Sequence, residues 1–144
     1  DVTRNFTDVD YPVFRLPEMY LIYAEAYFRG GGGDQNTALG YLNELRQRAY
    51  KEYYEDLGKL TLDDVNDTEA ALQLVLDERG RELYWEGHRR TDLIRYGLLT
   101  TGTYLWPWKG GVQSGTAVDD KYNIFPIPAT NLTSNTNLTQ NDGY

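Results

Sequence analysis

The chain has 144 residues, a formal net charge of −8 and no cysteine. That charge argues against nucleic acid or an anionic lipid surface as partner, because both recruit basic faces. Without cysteine there is no disulfide frame, thiolate metal site or cysteine nucleophile, and no stretch nears the ~20 apolar residues of a membrane-spanning helix.

Residues 1–10, DVTRNFTDVD, are polar and carry no basic-then-apolar signal region and no lipid-acceptor cysteine. YPVFRL, 11–16, reads as a short extended lead-in, since Pro12 restricts Tyr11 to extended conformations. From Leu16 to Phe28 the period becomes helical, with Leu16, Met19, Tyr20, Tyr23, Ala24 and Tyr27 on one broad face. Leu21, Ile22 and Phe28 cover most of what remains, so this helix is expected to be buried nearly all round. Gly30 to Gly33 ends it, and Asp34 to Thr37 offers caps for a second helix. There Ala38, Tyr41, Leu42, Leu45 and Ala49 form one stripe. The two make a helical hairpin whose residue spacing resembles a tetratricopeptide repeat, with small Ala24 and Ala38 permitting close approach.

Lys51 to Asp64 is a charged, aromatic connector with little pattern. Asn66, Asp67 or Thr68 then caps a helix on which Leu72, Val75, Leu76 and Leu83 share a stripe with four charges, Arg79, Glu82, Glu86 and Arg90. Their spacing of three, four and four sets opposite signs on consecutive turns. Charges on an apolar stripe point inward, where they persist only when paired, so the four are expected to form a structural ion-pair network. The helical phase is expected to hold to Glu86 and to break at Gly87. After Gly97 the pattern is lost. Leu98 to Tyr122 is rich in Gly, Thr and aromatics, NIFPIP reads as a short extended segment limited by Pro126 and Pro128, and the tail as polar irregular coil.

Three chemistries are open to these residues. Glu82 and Glu86 resemble a glycosidase carboxylate pair, but flanking arginines neutralise them and their environments do not differ as acid/base roles require. His88 is the single histidine, so a metal site or a catalytic triad lacks partners, and Gly30 to Gly33 has no phosphate-loop Lys-Ser/Thr. Neither metal nor cofactor is expected. Tyr104, Trp106 and Trp108, in TYLWPWKGG, are the candidate ligand-binding residues: sugar rings stack their C–H faces on aromatic rings, and Pro107 stiffens the spacing. The competing role for these rings is to cover the helices beneath them.

The run LDERGRELYWEGHRRTDLIRYG closely resembles the C-terminal signature of the SusD/RagB family, outer-membrane nutrient-binding lipoproteins of Bacteroidetes. Arg90 stands where that family often has Trp. RLPEMYLIYAEAYFRGG and LNELRQRAY resemble two further family segments, and Pro126-Ile127-Pro128 followed by Asn135, Asn137, Leu138, Gln140, Asn141, Gly143 and Tyr144 resembles its ending. Such matches in family order are more specific than any single motif.

The resemblance implies that residues 1–144 are the C-terminal part of a longer protein. Its fold would be mainly α, with tetratricopeptide-like helical hairpins (an α/α superhelix) over 16–97, then irregular loops and a short extended segment over 98–144. The implied function is non-catalytic capture of a glycan or other nutrient at the cell surface and its delivery to a SusC-like TonB-dependent transporter. Location would be the outer membrane, through a lipid anchor outside this sequence. A tetratricopeptide-type protein-interaction adaptor and, further off, a glycoside hydrolase using Glu82 and Glu86 are the rival readings. An adaptor would not explain the collinear ending.

Overall fold

A computed structural model describes residues 11–144; the polar stretch 1–10 lies outside the described residues. The chain divides into two compact units, Asp1–Gly87 and His88–Tyr144. It is mainly helical, with no strand among the described residues.

In the first unit α1 spans Leu16–Phe28, α2 spans Gln35–Tyr50 and α3 spans Thr68–Glu82. Pro17 sits in the first turn of α1, where its missing N–H costs nothing. Asp34 caps α2 by accepting from the Thr37 N–H at 2.7 Å, and Asp67 caps α3 by accepting from the Ala70 N–H at 2.8 Å. The Asp34 N–H also donates to the Tyr23 hydroxyl, while Tyr20 on the preceding turn donates to Glu44. Contacts that climb one helix as they descend the other make α1 and α2 antiparallel. Arg46 pairs with Glu78 and Arg48 with Glu82, a rising series on both helices, so α2 and α3 run parallel.

The core joins Leu21, Ala24 and Phe28 of α1 to Ala38, Leu42 and Leu45 of α2 and to Ala71 and Val75 of α3. Ala24 and Ala38 are fully buried, as close helix approach demands. Tyr20 and Tyr41 stack with centroids 4.4 Å apart, and Tyr23 meets Tyr41 edge-on at 5.2 Å. The expectation that α1 is buried all round fails on one side. Leu16, Met19 and Ile22, spaced by three, stay exposed because α2 and α3 occupy only the other two sides.

The connector after α2 is more ordered than its composition suggests. It forms a 3-10 turn, Lys51–Tyr53, then a π turn, Tyr54–Gly58, and a second 3-10 turn, Leu62–Val65. The Asn43 side chain holds it by two bonds to one residue, donating to the Leu60 carbonyl at 2.9 Å and accepting from its N–H at 2.8 Å. Arg46 donates to the Gly58 carbonyl and lies 5.1 Å from the Tyr50 ring centroid. Gly58 is required there, since a Cβ would fall 2.7 Å from the Tyr50 ring.

α3 stops at Glu82, one turn earlier than the periodicity predicts. Trp85 and Gly87 both take positive φ, +66° and +82°, and no α-helix passes through either.

In the second unit α4, Arg89–Arg95, is followed by a long irregular stretch and by α5, Ala129–Ser134. α5 is a departure from the coil expected of the tail; Pro128 precedes its first turn, and the Thr133 hydroxyl donates to the Ala129 carbonyl at 2.9 Å. NIFPIP forms no strand, although Ile124 and Pro128 are extended. No described helix is long and apolar enough to cross a membrane.

Two glycines test this packing in opposite directions. Gly40 lies on an exposed position of α2 with open space at its Cβ, so Gly40→Ala is expected to stabilise the chain by about 0.5–1 kcal/mol. Gly58→Ala drives a methyl into Tyr50 and is expected to cost about 1–3 kcal/mol. Urea denaturation followed by circular dichroism measures both; a Gly58→Ala midpoint equal to the parent's would refute the packing.

Candidate functional site

Glu82 and Glu86 of the helical stripe are bonded by side chains from outside α3. Arg79 is buried, 4.0 Å from Glu18 of α1, while Glu82, Glu86 and Arg90 are partly buried. The carboxylates take their guanidinium from Arg15, the residue just before α1. Its Nε donates to Glu86 Oε2 at 2.8 Å, Nη1 to Glu82 Oε1 at 2.6 Å, and Nη2 to Glu86 Oε1 at 2.7 Å and to the Glu82 carbonyl. Tyr11 adds a bond to the Glu86 carbonyl at 2.9 Å. Hydrogen bonds from Arg15 to Glu86 and to Glu82, against partial desolvation, raise the Arg15 pKa well above its ordinary value.

Two carboxylates fastened to one guanidinium are poor catalytic partners. An acid/base pair needs two carboxylates in contrasting environments, whereas here the same guanidinium bonds both. The Arg15 clamp also explains how the irregular turn after α3 is held: bonds at Glu82 and at Glu86 flank the left-handed Trp85. Arg15 opens the family-like word RLPEMYLIYAEAYFRGG, and that word is the sequence signal for it. Spacing along α3 could not reveal a partner 67 and 71 residues away.

Arg90 belongs to the second unit. Its guanidinium lies 4.3 Å from the Phe125 ring centroid and donates to the Tyr122 carbonyl. At this position, where an aromatic side chain is common in the resembling family, a planar cation thus makes the ring contact instead.

The candidate ligand residues fall in one loop of the second unit. Tyr104 and Trp106 meet with centroids 5.8 Å apart at 66°, and the Tyr104 hydroxyl accepts from Arg89. Trp106 is 41% exposed and Trp108 66% exposed. Trp108 has φ +71°, an uncommon conformation for a side-chain-bearing residue, and its N–H donates to the Val112 carbonyl at 3.1 Å. Tyr104 is thus a tethered ring, whereas both indoles offer open area.

Sequence reasoning missed Lys109. Embedded in a glycine-rich loop, it reads as a surface cation, yet it is 3% exposed. It also missed what the ending does. The Gln140 amide accepts from the Ile127 N–H at 2.8 Å and donates to the Ile127 carbonyl at 2.9 Å. Asn141 donates to the Phe125 carbonyl, and the Tyr144 hydroxyl bonds the carbonyls of Lys121 and Ile124 at 3.0 and 2.9 Å. The tail side chains therefore fill the role of a partner strand for 121–127. Among the described residues no group of three or more His, Cys, Asp or Glu is arranged to hold a metal.

Comparison with known proteins finds similarity along nearly the whole chain. The SusD family model matches residues 2–144. The chain is 46% identical over 140 residues to the starch-binding protein SusD of Bacteroides thetaiotaomicron, covering 97% of this chain and 22% of that protein. It is 32% identical over 131 residues to SusD-like protein P25 of Formosa agariphila, covering 90% of this chain and 23% of that protein. The chain therefore spans under a quarter of the length of either curated relative.

Replacing Arg15 by Met removes its bonds to both partly buried carboxylates, with Arg48 still on Glu82, and is expected to cost about 2–4 kcal/mol. Arg15→Lys keeps the charge but loses the fork, so it should recover less than half of that loss. Urea denaturation reads both, and a neutral Arg15→Met would discard the clamp. Gln140→Ala is expected to speed amide exchange at Ile127 by about tenfold or more, read by hydrogen exchange.

Proposed function

The chain belongs to the SusD family, and from that premise we propose that it is part of a non-catalytic protein that captures a glycan at the bacterial cell surface. The observation that carries the proposal is the family match along essentially the whole chain, together with 46% identity to a relative named for binding starch. In this reading the captured glycan passes to a SusC-like TonB-dependent transporter in the outer membrane. The protein sits on the outer surface as a lipoprotein whose anchor lies outside these residues. The first unit acts as framework, its three helices fastened to the irregular turn after α3 by Arg15.

Ligand contacts within these residues are assigned to Trp106 and Trp108, with Tyr104 as the supporting ring. Exposed indoles meet the C–H faces of pyranose rings, and the Tyr104–Trp106 contact fixes the tilt of one against the other. An α-glucan of the starch type is the natural first probe, given the relative's name. A hydrolytic reading finds no support at Glu82 and Glu86, since Arg15 bonds both carboxylates.

Affinity electrophoresis through gels containing soluble starch tests this. The parent chain is expected to be retarded, and Trp106→Ala and Trp108→Ala are each expected to weaken retardation by about fivefold or more while keeping the helical signal. Unchanged retardation in both folded variants would remove this loop from the site. Release of reducing ends by the parent chain, abolished in Glu86→Gln, would replace binding with catalysis.

A further inference from the structure

Lys109 has an environment that its sequence neighbours, Trp108 and Gly110, do not announce. Lysine is almost never fully buried without partners, and here the partners are backbone oxygens. Its Nζ donates to the carbonyls of Tyr104 at 2.6 Å, Thr101 at 3.2 Å and Leu98 at 3.5 Å, and lies 4.7 Å from the Trp106 ring centroid. An ammonium carries three N–H donors, so three carbonyls and a π face use its full capacity. The Lys109 backbone is tied in as well. Its N–H donates to the Trp106 carbonyl at 3.0 Å, and its carbonyl accepts from the Thr116 N–H at 3.0 Å. One residue thus gathers the stretch 98–104, the ring of Trp106 and the returning limb of the loop at 116.

We infer that Lys109 is a positioning residue. Its ammonium collects the backbone under Tyr104 and the ring of Trp106 around one point, and so sets the arrangement of the aromatic pair. Sequence places the residue in a solvated glycine loop, but the structure places its charge beneath the rings. The stem alone does not account for this, because the converging carbonyls need a donor and a methylene chain has none. The effect on loop order stands by itself. The effect on ligand affinity rests on the binding reading of Trp106 and Trp108.

Two variants separate charge from packing. Lys109→Met keeps the stem to the position of Cε but removes the donors; Lys109→Ala removes the three methylenes and the ammonium that propylammonium can replace. In the native protein both are expected to keep the helical circular-dichroism signal while chymotrypsin cuts between 98 and 118 about tenfold faster, because the carbonyls lose their shared donor. Millimolar propylammonium should slow cutting of Lys109→Ala toward the parent rate, and 1-propanol at equal concentration should not. Starch-gel retardation should weaken in both variants and recover in Lys109→Ala with propylammonium. A Lys109→Met loop as resistant as the parent's, or equal rescue by propanol, overturns the inference, as does loss of the helical signal in both variants. Faster cutting with the predicted rescue but unchanged retardation leaves Lys109 ordering the loop and sinks the glycan reading instead.

Discussion

Everything in the first unit depends on where Arg15 sends its guanidinium. It stands at the last non-helical position before α1, extended at φ −144° and ψ 155°, so its side chain reaches back across the start of the helix. There it meets the end of α3 and the turn beyond it, and makes four bonds to Glu82 and Glu86, one more than an ammonium has donors for. The result is closure of the helical layer at one end: α1 runs antiparallel to α2, α3 runs parallel to α2, and Arg15, just ahead of α1, bonds Glu82, the last residue of α3. Arg48 from α2 reaches Glu82 as well, so a single carboxylate links all three helices. Removing charge from either side would leave the other partly desolvated, which is why such sets are expensive to break and not simply optional.

A second constraint comes from what the chain lacks. With no strand among the described residues, the irregular segments cannot satisfy their backbone groups by ladder pairing. Side chains do it. Asn43 bonds both polar groups of Leu60, Gln140 bonds both polar groups of Ile127, and Lys109 serves three carbonyls at once. Each is a tie made by one side chain, across 17 and 13 residues for Asn43 and Gln140 and within one loop for Lys109. Each holds a segment that would otherwise expose unpaired donors and acceptors. That gives an account of why a polar, coil-like ending such as NLTQNDGY is specific in sequence. Its Gln, Asn and Tyr are hydrogen-bonding partners for 121–127, and an arbitrary polar tail would not supply them in register.

Local signals in the sequence were legible where local physics decides. The limits of α1, the Asp34 cap and the small residues at the α1–α2 contact follow from period, capping chemistry and volume. The end of α3 was not, because the charges at 79, 82 and 86 continue the helical spacing numerically after the backbone has left the helix. What ends it is Trp85 and Gly87 in left-handed conformations, with Arg15 supplying an ion partner from outside the helix. The aromatic loop was legible as composition but not as geometry. Nothing within a glycine-rich stretch tells an exposed Trp108 from a buried Lys109; that distinction arises only when three carbonyls converge.

The aromatic richness that drew attention to a binding surface divides into two physical groups. Tyr20, Tyr23, Tyr27 and Tyr41 are half-buried on the α1–α2 contact, where stacked and edge-on geometry contributes packing, and they leave little ring for a ligand. Trp106 and Trp108 expose their rings, and Trp85 does so on a backbone that only a well-braced turn would keep left-handed. In both tryptophan segments the bracing comes from a buried or half-buried cation, Arg15 in one and Lys109 in the other. Holding a large ring in water at a strained position contributes nothing to folding, since the apolar area stays hydrated and the backbone is unfavourable. The first group belongs to the framework, and a binding role is to be sought in the second.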